Sequence, residues 1–183
     1  MQFPSGRLAS PEDVLSFWFG RPAANEDELM PRIHRWFRGG PSMDEEVRHR
    51  FGPTVEAALR HELDGWAETA RGRLALVLLL DQMTRSLYRN DARSYAGDAH
   101  AQALSVEAFD RGMDGELGFI ERVFLAMPMG HAEDLVLQER VAGLASKAAA
   151  NAPPEYRVMS AMSVEQTVKY LGIIRRLDRK SVV

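Results

Sequence analysis

The chain has 183 residues, a formal net charge of −3 and no cysteine. This excludes a disulfide framework, a CxxC redox site, a thiol nucleophile and a globally basic nucleic-acid binder. That length most simply makes one domain spanning residues 1–183, burying roughly 70% of the surface its unfolded form exposes. The apolar run Leu74–Leu80 falls far short of the ~20 residues a membrane span needs, so no membrane role is expected. Met1-Gln-Phe-Pro-Ser-Gly-Arg7 lacks the basic-then-apolar order of a signal peptide, and with the missing cysteines this points to the cytoplasm.

Ser10-Pro11-Glu12-Asp13 reads as an N-cap, a proline at the first helical position and acids in the first turn. It opens a helix through Val14, Leu15, Phe17 and Trp18 that Gly20 stops. Residues 21–43, rich in Pro, Gly and charge, read as a loop pinned by Trp36 and Phe37. Asp44 opens a helix through Phe51, and Pro53 starts another whose apolar positions Val55, Ala58, Leu59, Leu63 and Trp66 follow helical spacing. The segment 72–88 predicts a buried helix, with Leu76, Leu79 and Leu80 among its most buried positions. After the turn at Asn90-Asp91, Ala92, Ala96, Ala99 and Ala103 recur at i, i+4, i+7 and i+11 and predict a close-packing face on a helix ending at Gly112. Residues 116–127 predict a helix broken by Pro128 and Gly130. Residues 131–150 predict a long one stopped by Asn151 and Pro153-Pro154, and Ser163–Arg176 the last. No segment alternates with period 2. The pattern predicts an all-α fold of about seven to nine helices packed as antiparallel pairs. The small-residue stripe has no second copy at a fixed period, so the array is degenerate or non-repeating.

Two stretches mix polar and apolar residues at helical spacing. In Asp81-Gln-Met-Thr-Arg85-Ser-Leu-Tyr-Arg89, Asp81 shares a face with Leu74 and Val77, with Arg85 one turn further and Arg89 two. A carboxylate at the edge of a core needs a cationic partner, here Arg85 or another arginine. Such a pair can bind an anion through the guanidinium fork or hold a proton-accepting carboxylate, and it can equally be an internal salt bridge. In Pro128-Met-Gly-His131-Ala-Glu133-Asp134-Leu-Val-Leu-Gln138, His131 falls at or beside an N-cap, where exposed N–H groups favour a neutral imidazole and attract anions. There Glu133 and Asp134 also complement the helix dipole, which accounts for the cluster without chemistry. The two stretches are expected to converge, placing Arg85, His131 and Glu133 around one pocket with Trp18 or Tyr95 as an apolar wall, because desolvated polar groups are tolerated best when they satisfy one another. The candidate ligand-binding residues are Asp81, Gln82, Arg85, Arg89, His131, Glu133, Trp18 and Tyr95.

Other signals point elsewhere. Glu46-Val-Arg-His49 has the ExxH spacing of di-iron bundles, but those need a second such motif and further acids. Asp98 and His100 diverge by about 200° on a helix, which argues against joint metal ligation. The methionines at 113, 127, 129, 159 and 162 read as adaptable core, and Arg175, Arg176, Arg179 and Lys180 complement the last helix's dipole. No HExxH, GxSxG, P-loop or GxGxxG occurs. No cofactor and no metal is expected. Two functions stay open. One is a binding module taking a small anionic molecule or a peptide carboxylate through the Asp81/Arg85/His131 cluster. The other is a hydrolytic or acid–base enzyme with His131 as base and Arg85 stabilising developing negative charge.

At these residues the chain resembles the DUF924 family, bacterial proteins of unknown function. The likeness is carried by Val14-Leu-Ser-Phe-Trp-Phe-Gly20, Trp36-Phe37, Leu80-Asp-Gln-Met-Thr-Arg-Ser-Leu-Tyr-Arg89, Asp98, Phe124 with Pro128, and His131-Ala-Glu-Asp-Leu135 followed by Gln138, over roughly residues 10–145. It implies an all-helical, tetratricopeptide-repeat-like arrangement and supplies no reaction. The resemblance also implies a segment F-G-R-F-P-H-R-N after an Ile-Ile-Arg-Arg-like helix, where this chain reads Ile173-Ile-Arg-Arg-Leu177-Asp-Arg-Lys-Ser-Val-Val183. The expectation is a pocket more open than in relatives that carry the segment, one that a partner chain in an oligomer can close.

Overall fold

The computed structural model describes residues 8–181, with side chains described through 176. Helix α1 (Pro11–Phe19) begins as its cap predicts: Ser10 and Asp13 form a reciprocal capping box, Pro11 leads, and Gly20 ends it. Helix α2 (Glu26–Arg38) replaces the expected loop over 21–43. Asn25 caps it by accepting from the Glu28 N–H at 3.0 Å, three acids fill its first turn, and Leu29, Ile33 and Trp36 form its buried stripe. Pro31 lies inside this helix at an exposed position.

Helix α3 (Gly40–Leu59) runs unbroken through Pro53, where two helices are expected. It buries Val47, Phe51, Val55 and Ala58 completely, while Pro53 faces outward. A proline removes one ladder hydrogen bond at a cost of about 3 kcal/mol, and burial of that stripe at roughly 1.5–3 kcal/mol per large apolar side chain outweighs it. Between α2 and α3 only Gly39 intervenes, and a side chain there would meet the Arg35 carbonyl at 2.5 Å.

The central rod is helix α4 (Ala70–Val77), a π-helical turn (Leu78–Met83) and helix α5 (Thr84–Leu87). Leu76 and Leu79 are fully buried and Leu80 is 1% exposed, as expected. The π turn is unforeseen. The backbone N–H of Thr84 reaches back to the Leu79 carbonyl, and the Thr84 hydroxyl donates to the same oxygen at 2.7 Å. Such single π turns recur at functional sites because they widen the helix and redirect side chains. This one contains Asp81 and Gln82.

Helix α6 (Asp98–Asp110) packs through Ala101, Leu104, Ser105 and Ala108. The stripe Ala92, Ala96, Ala99 and Ala103 is exposed instead. Alanine carries too little apolar surface to decide which face turns inward, and the leucine in the other stripe decides it. Helix α7 (Phe119–His131) continues through Pro128 and Gly130. Helix α8 (Leu135–Ala150) is capped by Asp134, and α9 (Arg157–Ser181) begins earlier than expected.

The rod organises the rest. Helices α1, α6 and α7 pack on α4, α3 packs on the π turn and α5, and α8 lies between α7 and α9. Among successive helices, α6 packs on α7, α7 on α8 and α8 on α9. An aromatic group centred on Phe124 joins α1, α2 and α7, with Trp18, Phe19 and Trp36 meeting its ring edge-on at 5.7, 5.4 and 5.0 Å. Trp36 also donates to the Trp18 carbonyl at 2.8 Å. No strand occurs among the described residues, and none of their helices is long and apolar enough to cross a membrane.

Candidate functional site

Asp81 is 1% exposed, yet its carboxylate is fully engaged. One oxygen accepts from Arg85 Nη1 at 3.1 Å and lies 2.8 Å from His131 Nδ1; the other accepts from Gln82 Nε2. Arg85 also donates to the Asp81 backbone carbonyl. Its guanidinium then forms a two-pronged pair with Asp98 at 3.0 and 2.9 Å, while its other flank faces the Tyr95 ring at 5.5 Å. Buried charges persist when paired and hydrogen-bonded, and this chain of four groups ties the rod to α6 and α7. The register of α6 depends on Gly97, where a Cβ would lie 2.3 Å from the Leu80 carbonyl oxygen. That backbone approach carries Asp98 to Arg85.

The expected contact between Asp81 and an arginine is present, and Arg85 and His131 share one carboxylate oxygen. His131, however, is the last residue of α7 and not the cap of α8. That end carries the negative pole of the helix dipole, the reverse of the N-terminal environment expected. If the ring is neutral, donation from Nδ1 to Asp81 leaves Nε2 with its lone pair directed away from the carboxylate.

A pocket of about 310 Å³ lies beside this cluster, lined by Trp18, Trp36, Phe37, Met43, Gln82 and Ser86, the Gly39–Gly40 corner, and the arginines 35, 38, 85 and 89. It has no acidic lining residue. Arg89 does not join Asp81; it makes a two-pronged pair with Asp44 of α3, one contact at 2.7 Å, and Asp44 is 5% exposed. Arg35 donates to the Phe17 carbonyl at 3.1 Å and to Glu46 at 3.3 Å. Arg38 has no hydrogen-bond or ion-pair partner among the described residues. The indole N–H of Trp18, a residue 3% exposed, is also without an acceptor among them.

Of the expected site residues, Asp81, Gln82, Arg85 and His131 form one network, and Trp18, Gln82, Arg85 and Arg89 line one pocket. His131 is not part of that lining, Tyr95 is 65% exposed and supports Arg85 from outside the pocket, and Glu133 is exposed and takes no part. Arg35, Arg38 and Met43 were not expected, because 21–43 reads as a loop, and Asp44 reads only as a helix start; the Leu29-Ile33-Trp36 spacing behind Asn25 is the signal that exposes the arginines. Near the pocket Tyr88 donates to Glu56, and burial, then this carboxylate, pushes its phenol up to about 12. The expectation about the segment from Leu177 onward falls on side chains outside the described residues, as does the reading of Met1–Arg7.

A solved structure similar to this chain is that of a protein of unknown function from Agrobacterium tumefaciens, 31% identical, with a TM-score of 0.72 over 92% of this chain and 84% of that one. No curated protein matches it. The sequence profile of DUF924, described as a bacterial protein of unknown function, matches residues 14–180, and the chain belongs to that family.

Proposed function

We propose that this protein binds a small anionic ligand, a phosphate-bearing or carboxylate-bearing molecule or a peptide carboxylate, in the pocket between the α2–α3 corner and the rod. The observation that carries this reading is the lining: four guanidinium side chains, no carboxylate, and three aromatic side chains in one concavity. Asp44, Asp81, Asp98 and Glu46 hold three of the arginines from outside the lining, so their planes are fixed before a ligand arrives. Preorganised forks recognise planar or tetrahedral oxyanions at little entropic cost. Arg38 is a donor with no internal partner among the described residues, and a ligand rich in acceptors satisfies it. The aromatic wall suits a ligand with an apolar portion.

The test uses Arg38→Ala. Arg38 is exposed and unpaired among the described residues, so its removal leaves stability within about 0.5 kcal/mol. A thermal-shift screen with phosphate, phosphorylated metabolites, dicarboxylates and short peptides should find a ligand that raises the wild-type Tm. That shift should be lost in the variant. A shift that is equal in both places the ligand elsewhere.

The second reading, an acid–base enzyme, is favoured by one contact: a buried carboxylate 2.8 Å from His131 Nδ1 with the opposite ring nitrogen directed away from it, the way a carboxylate orients an imidazole base. Turnover of a pocket ligand that disappears in His131→Gln while binding persists is the outcome that selects this reading over binding alone.

A further inference from the structure

His61 lies in the turn leaving α3, Asp64 opens the short 3-10 segment that follows, and His100 stands in the first turn of α6. The imidazoles of His61 and His100 stack with centroids 4.3 Å apart and planes 27° apart. His61 Nδ1 lies 3.1 Å from one Asp64 oxygen and His100 Nε2 3.5 Å from the other. One nitrogen of each ring and one oxygen of the carboxylate all fall within 4.8 Å of one another.

We propose that His61, Asp64 and His100 form a binding site for a divalent first-row transition ion of the zinc type. Two imidazoles and a carboxylate are the donors such ions take, whereas calcium and magnesium select oxygen alone. A tetrahedral ion with bonds of about 2.1 Å holds its donors roughly 3.4 Å apart, close to the distances at which each imidazole meets its own Asp64 oxygen. His61 and Asp64 have side chains 61% and 49% exposed, free to turn toward an ion. The Nδ1 of His100 is buried without a hydrogen-bond partner among the described residues, and Nε2 is the nitrogen presented to Asp64.

His61 has a φ of 63°, a left-handed conformation that a non-glycine residue adopts at some cost and that packing or function must sustain. Asp98 cannot serve, since Arg85 occupies both of its oxygens. The expectation of no metal weighed His100 only against that near neighbour in sequence, and helical spacing does not reveal that the 61–64 turn meets α6. With three protein donors the ion keeps a position open to water, and it pins the end of α3 to α6.

Calorimetric titration of tag-free full-length protein with Zn²⁺ tests this. One ion should bind per chain, and Zn²⁺ should raise the Tm by several degrees. Single variants His61→Ala, Asp64→Asn and His100→Ala should each weaken binding by more than the roughly 10–100-fold that loss of an outer-shell partner costs. Variants His34→Ala and His49→Ala should leave it unchanged. Should His100→Ala fail to fold, ring-proton NMR of the wild type decides: Zn²⁺ should shift His61 and His100 together and leave His34 and His49 in place. Absence of saturable one-to-one binding, undiminished affinity in the ligand variants, or shifts centred on other histidines overturns the proposal.

Discussion

Asp81 sits where an apolar rod turns polar, and its worth lies in how its partners are arranged. Arg85 keeps a two-pronged pair with Asp98 and is 27% exposed, so removing Asp81 does not strand it. Asp81→Ala should therefore cost about 2–3 kcal/mol, below the roughly 3–5 kcal/mol seen when a buried charge is left alone. Asp81→Leu should cost less, because the apolar side chain fills the volume that alanine leaves as a cavity. Urea unfolding checks the order, and a larger loss for leucine would mean that the uncovered Arg85 and His131 dominate. Glu107 offers a pH test. The guanidinium of Arg73, then that of Arg111, holds its carboxyl down at about 2, and Arg73 is 2% exposed. A depressed folded pKa contributes stability that is present above the ordinary value of 4.5 and is lost as pH falls toward 2. Glu107→Gln should lower the Tm at neutral pH and flatten its acid decline across that window; an unchanged decline assigns it to other groups. At this scale the sequence shows the Asp81–Arg85 pair, because i,i+4 neighbours meet on any helix. It does not show Asp81 with His131 or Asp44 with Arg89, separated by 50 and 45 residues, where only tertiary packing makes the introduction.

Among the elements, capping chemistry was the most legible signal: Ser10, Pro11 and Gly20 bound α1 as they should. Prolines were the least. Pro31, Pro53 and Pro128 each lie inside a helix, since one missing hydrogen bond is a smaller loss than the burial of a long apolar stripe. Reading them as stops turns α2 into a loop, splits α3 and moves His131 from the end of one helix to the start of the next. Three of the four pocket arginines lie in stretches affected by this or by the unforeseen π turn. Gly97 governs how α6 docks on the rod. Gly97→Ala drives a methyl group into the Leu80 carbonyl and should cost about 3 kcal/mol, the upper end for overpacking. It should also release Asp98 from Arg85, so Gly97→Ala and Asp98→Ala should be strongly non-additive in a double-mutant cycle. Additivity within about 0.5 kcal/mol would separate helix docking from the ion pair.

For the whole molecule, the all-helical class follows from dense helical periodicity and the lack of any alternating segment, and the packing of helices around one buried rod follows from the apolar run at 74–80. What periodicity cannot convey is which concavity the helices leave between them. The pocket is formed by α1, the α2–α3 corner and the rod together, and its arginines are scattered over more than fifty positions of sequence. The central claim is that this concavity is a seat for an anion. Isothermal titration of the wild type and Arg38→Ala with a ligand found by thermal shift tests it most directly. The account predicts one site per chain, affinity that falls with added salt, and a loss of about tenfold or more in the variant, as expected for a charge-assisted hydrogen bond worth roughly 1.5–3 kcal/mol. Equal affinity in the two proteins, or the absence of any oxyanion that binds, would contradict it.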